Sequence, residues 1–143
     1  MLSFASLLLR FSCAAFMLSP LAAYAQSPAP SHLIVGTWSW TLFNGKCQET
    51  FTFRPDGTLL TTSAEAVTEW IYTITPQASG AGFYGLVLVP ARRNGKKDCS
   101  GDILEPGSAS VSSYIQLSPA KDRFISCKAQ SLSACYGPLR RIQ

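Results

Sequence analysis

The residues best equipped for chemistry in this chain are a set of cysteines, one histidine and a few carboxylates. Cys47, Cys99, Cys127 and Cys135 are four of the five cysteines; the fifth, Cys13, lies in an apolar N-terminal run. No C-x-x-C occurs and His32 is the only histidine. That disfavours zinc, and an even set in a small exported domain reads as two disulfides formed in an oxidising compartment. Three pairings are open. Cys47–Cys99 with Cys127–Cys135 is favoured because the second pair closes a short local hairpin. On a chain-entropy model the long loop contributes about 4 kcal/mol and the short one roughly 2.5 kcal/mol.

Catalysis needs a constellation, and the remaining residues do not assemble one. His32 stands on the entry to the first strand with no acid or nucleophile placed beside it, and reads as a surface histidine. No serine sits in G-x-S-x-G. Asp98, Asp102 and Glu105 surround Cys99 in one loop, but their spacing fits no EF-hand and Lys96 and Lys97 oppose their charge. Solvated loop acids are the better reading. The expectation is a protein that is not an enzyme and uses no metal or cofactor. Glu49 differs from the other acids: it shares the parity of Cys47, Phe51 and Phe53, so a regular strand points it at the core. A buried carboxylate requires a partner. It either pairs with an arginine at a rim or lines a pocket and meets a ligand. Trp40, Trp70, Tyr72, Tyr84 and Tyr114 are the aromatics available to line such a pocket, and core packing accounts for them equally.

The elements that position these residues follow from a period of two. Of the 143 residues, 1–25 read as a signal peptide: an uncharged run FSCAAFMLSPLAA follows Arg10, and Ala23-Tyr24-Ala25 supplies an A-x-A cleavage pattern. Thirteen apolar residues are too few to span a bilayer. Residues 26–32, opening QSPAPS, are expected to be extended and flexible. Strands are predicted over 34–42, 47–54, 58–62, 67–75, 83–89, 111–117, 123–129 and 136–142, separated by turn residues such as Asn44-Gly45, Pro55-Asp56-Gly57 and Asn94-Gly95. No amphipathic helical run of three turns occurs. Eight sequential short strands predict a single all-β domain over 33–143, a small up-and-down antiparallel barrel, with a two-sheet sandwich as the alternative. Roughly seven residues per strand at about 3.3 Å each make it some 23 Å tall.

Two of these strands carry a resemblance. Gly36-Thr37-Trp38 in the first and Leu139-Arg140-Arg141-Ile142 in the last resemble the calycin superfamily, which includes lipocalins, avidins and bacterial metalloprotease inhibitors. The resemblance implies that Trp38 plugs one barrel end while Arg140 or Arg141 covers its ring. The wider pattern of W-S-W, C-Q-E-T-F-T-F-R-P-D-G-T, D-C-S-G and C-Y-G-P is similar to exported bacterial proteins described as lipocalin-like, a family that brings no activity with it.

On this footing the expected function is that of a periplasmic or secreted binding protein for a small apolar or amphipathic ligand, with Glu49, Trp40, Trp70, Tyr72 and Tyr114 as candidate contacts. The alternative is a protein-binding inhibitor of a secreted enzyme, with residues 26–31 entering the enzyme's cleft. An open aromatic cavity favours the first and a filled core the second. Loss of Arg10 leaves eleven basic against eight acidic residues. This mild surplus lacks the dense clustering of a nucleic-acid footprint.

Overall fold

The computed structural model describes residues 32–42 and 45–143. The signal-peptide reading, nearly all of the predicted flexible segment and Asn44 of the first turn lie outside the described residues. Eight strands follow in order: β1 (Gly36–Thr41), β2 (Gln48–Phe53), β3 (Thr58–Ser63), β4 (Ala66–Ile74), β5 (Tyr84–Arg93), β6 (Val111–Leu117), β7 (Arg123–Cys127) and β8 (Cys135–Arg141). Each pairs antiparallel with the next, and β8 returns to β1 through Trp38↔Arg141 and Ser39↔Arg140, closing an up-and-down barrel. Closure removes the free edges that a sandwich would leave. Both disulfides form in the favoured pairing, Cys47–Cys99 and Cys127–Cys135, and are consistent with an oxidising environment.

Turn chemistry sets the registers. At the β2–β3 turn, Asp56 Oδ1 accepts from the Thr58 amide (2.9 Å) and hydroxyl (2.6 Å), and Gly57 takes φ +84, a region that glycine enters without strain. Alternation along the strands then sends Trp38, Phe53, Leu59, Tyr72, Leu86, Ile115, Phe124 and Leu139 inward, where they form one core together with Ile34.

Two irregularities shift this alternation. Between β4 and β5 the register passes from Trp70↔Pro90 to Glu69↔Arg92, one residue of β4 against two of β5. The strand expected to stop at residue 89 runs on to Arg93, because Pro90 sits at this bulge, where a missing N–H costs least. Between β7 and β8 the register passes from Phe124↔Leu139 to Ser126↔Tyr136, inserting one residue of β8 near Gly137 and Pro138. A Cβ on Gly137 would come within 3.0 Å of the Leu139 nitrogen, and its φ is +118. Both bulges reverse the face of the residues beyond them.

Candidate functional site

The barrel's two ends are chemically different. At one end residues 32–35, the β2–β3, β4–β5 and β6–β7 connections and the C-terminus meet. Trp38 is fully buried there. Its indole N–H donates to the Ile34 carbonyl at 2.7 Å, and its ring lies edge-to-face on Phe124 at 4.8 Å. The Arg141 guanidinium carbon stands 4.1 Å from the Trp38 ring centroid. Arg141 also donates to the carbonyls of Val35 (2.8 Å), Leu33 (2.6 Å) and Lys121 (3.2 Å). Arg141 is thus the cover and Arg140 is not: Arg140 pairs with Arg123 on the outer face. Gly36 leaves room for Arg141, whose Nη1 would clash with any Cβ at that position.

His32 belongs to this end and is not the surface histidine expected. Its Nδ1 accepts from the Ile34 amide at 3.1 Å, and its ring meets Tyr84 edge-on at 5.0 Å. Burial lowers its pKa below 6.5; the Thr75 backbone opposes this by favouring the imidazolium, although Nε2 forms no hydrogen bond of normal geometry.

The opposite end holds a cavity of about 290 Å³. Its apolar wall comes from Phe51, Trp70, Leu88 and Tyr136, and its hydroxyl wall from Thr61, Ser63 and Thr68. Trp70 Nε1 donates to Thr61 Oγ1 at 2.9 Å, fixing the indole against the wall. Above it, the 94–110 loop is tied to the β3–β4 turn. Asn94 Oδ1 accepts from the Val67 amide (3.0 Å) while Nδ2 donates to the Glu65 carbonyl (2.8 Å). The Cys47–Cys99 bridge tethers the same loop to the start of β2.

Glu49 lies inside this cavity, as its parity predicts. No arginine pairs with it: the ion pairs among the described residues are Arg92–Glu69 and Arg123–Asp122, both on the surface. In place of an arginine, one of the two partners that the sequence leaves open, stands a relay. The Cys99 amide donates to Ser63 Oγ at 2.9 Å, and Ser63 in turn makes a short hydrogen bond to Glu49. A hydroxyl is a neutral partner, so the Glu49 charge stays available to the cavity.

The other predicted contacts separate. Trp70 lines the cavity. Trp40 lies beside it, 5.2 Å from the Tyr136 ring, and packs against the core. Tyr72 is buried, with Phe53 edge-on at 5.1 Å and its hydroxyl donating to the Arg54 carbonyl at 2.7 Å. It belongs to the core and does not line the cavity. Tyr114 pairs with Gly85 and Cys127, on the outer face of the barrel next to the Cys127–Cys135 bridge; the alternation that turns Ile115 inward turns Tyr114 out.

Two cavity residues escape a strict period-two reading. Counting back from Leu139 puts Tyr136 outside, and counting forward from Leu88 puts Arg93 outside; the bulges turn both inward. Pro90 and Gly137-Pro138, residues that weaken a strand interior, were the signals that mark them. Tyr136 is 41% exposed because one side faces the cavity, yet its hydroxyl lies deep. Burial raises its pKa and the Glu49 charge adds to this, while Ser126 acts in the opposite direction. Ser126 Oγ falls short of a hydrogen bond to it and is buried without a partner.

Among the described residues no three His, Cys, Asp or Glu side chains gather to hold a metal ion, the loop acids included. The sequence matches no protein-family model, and no curated protein or solved structure matches it. The geometry by itself defines the class: a closed eight-stranded antiparallel barrel with a tryptophan–arginine plug at one end and a cavity at the other, compatible with a lipocalin-like fold.

Proposed function

We propose that this chain is an exported, lipocalin-like binding protein that holds one small apolar or amphipathic molecule in the open end of its barrel. The observation that carries this reading is the cavity itself, about 290 Å³ with ring faces, hydroxyls and an unneutralised carboxylate in its lining. An apolar cavity of about 150 Å³ accepts benzene, so this one has room for a ring bearing a short polar chain. The two disulfides support export to an oxidising compartment. The lining favours binding over turnover: its one hydroxyl–carboxylate pair, Ser63–Glu49, has no imidazole near it, since His32 sits at the opposite end.

Tryptophan fluorescence of the mature protein, titrated with fatty acids, haem and aromatic metabolites, tests the reading. Saturable binding of at least one compound is expected. Ala66→Phe, which places a ring in the mouth, should weaken it at least tenfold without lowering the melting temperature appreciably. A flat response to the whole panel contradicts the proposal.

A further inference from the structure

The charges around the cavity narrow the ligand class. Five ionised side chains line it: the acids Glu49, Asp98 and Asp102 and the bases Arg93 and Lys96. Asp98 is committed to its own loop, its Oδ1 accepting the amides of Ser100 (2.8 Å) and Asp102 (2.9 Å). Glu49 and Arg93 are the two that project from strands. Glu49 stands on β2 and Arg93 on β5, with β3 and β4 between them. Register directs both inward: Glu49 lies opposite Ser63, and Arg93 opposite the buried Thr68. No ion pair joins them, and the Arg93 side chain has no hydrogen-bond or ion-pair partner among the described residues.

This arrangement is unusual for a structural pair. Opposite charges in one partly desolvated space are most favourable in direct contact. Here rigid strands hold them apart across an aromatic cavity. A ligand with a single charge satisfies one of them and meets the other as a like charge. A fatty-acid carboxylate that reaches Arg93 enters a space that Glu49 and Asp102 also line, and an amine that reaches Glu49 enters one that Arg93 and Lys96 also line. Only a ligand carrying both charges answers both.

We infer that the cavity is built for a zwitterionic amphipathic ligand of the α-amino-acid type, its ammonium on Glu49, its carboxylate on Arg93 and its apolar side chain against Trp70, Phe51 and Leu88. Charge-assisted hydrogen bonds at each end fix its orientation, and like-charge contacts reject singly charged analogues. The inference rests on the cavity being a ligand site.

Calorimetric titration of the mature protein with four probes sharing one ring separates the two claims: L-phenylalanine, phenethylamine, 3-phenylpropionate and ethylbenzene. L-Phenylalanine should bind at least tenfold tighter than each of the other three. Glu49→Gln should abolish its advantage over 3-phenylpropionate, and Arg93→Gln its advantage over phenethylamine, in each case with the fold verified by melting. If any singly charged or neutral probe matches L-phenylalanine on the unaltered protein, the zwitterion assignment is overturned while the cavity remains a ligand site. If none of the four binds and the broader fluorescence panel is also flat, both claims are overturned.

Discussion

The two barrel ends are built from the same eight strands and treat their inward arginines in opposite ways. At the closed end the strong donors are occupied: the Trp38 indole has the Ile34 carbonyl, and Arg141 has three carbonyls as well as the ring beneath it. At the open end the Arg93 side chain has no partner among the described residues, and Glu49 has only a neutral hydroxyl. Saturated polar groups stabilise a fold, and unsaturated ones cost it stability unless something else binds them. If the proposed function holds, the contrast gives stability to one end and recognition to the other.

Truncating the plug should produce the largest effect. Trp38→Ala is expected to lose roughly 3–5 kcal/mol as a large core truncation, measured by denaturant unfolding. A loss below about 1 kcal/mol, the range of ordinary surface changes, would show that the closed end does not carry the fold. Removing the Cys47–Cys99 bridge with paired serines should cost about 4 kcal/mol on the chain-entropy model, against roughly 2.5 for Cys127–Cys135. Because Cys99 also feeds the Ser63–Glu49 relay, only the first pair should weaken ligand binding in the species that remains folded. Equal effects of both pairs on binding would break the link between the tethered loop and the mouth.

A sharper contrast lies within one dipeptide. Arg141→Ala removes hydrogen bonds to three carbonyls and the ring contact, and should cost about 2–3 kcal/mol. Arg140→Ala, on the outer face, should change stability by less than about 0.5 kcal/mol. Indistinguishable values would dismiss the cation–π cover.

The smallest expected effect is a pH dependence. Burial lowers the His32 pKa below 6.5 in the folded chain, so protonation favours the unfolded chain. The stability that His32 gives is complete above pH 6.5 and is lost as pH falls through the folded value. Asp56 and Asp122 have pKa values lowered from 3.8 by hydrogen bonds from Thr58 and Ser118 respectively, so their contribution is lost only in more acid solution. Melting temperature should therefore decline in two separate windows, and His32→Phe should flatten the upper one. An unchanged upper window in that variant would place His32 in solvent.

Much of this was legible in the sequence, because period-two alternation and Gly, Asn, Asp and Pro turns fix strand number and most registers. The inward position of Glu49, the Trp38 plug and the disulfide pairing emerged at that level. Residue type alone puts Tyr114 in the pocket, but the regular alternation that buries Ile115 turns it out. The rest of what is not legible lies mostly where a bulge reverses the alternation. Tyr136 and Arg93 were passed over because one inserted residue on each strand moves them to the other face. His32 was misread for another reason: no local pattern shows that the segment before β1 folds across the barrel end onto Tyr84.

If one end binds and the other holds, the tryptophan indoles report on each directly. Trp38 Nε1–H is locked to Ile34 at the closed end, and Trp70 Nε1–H to Thr61 in the cavity wall. In a ¹H–¹⁵N NMR titration of the protein with L-phenylalanine, the Trp70 indole resonance should shift saturably while that of Trp38 stays fixed. A shift confined to Trp38, or equal shifts at both indoles, would contradict the account.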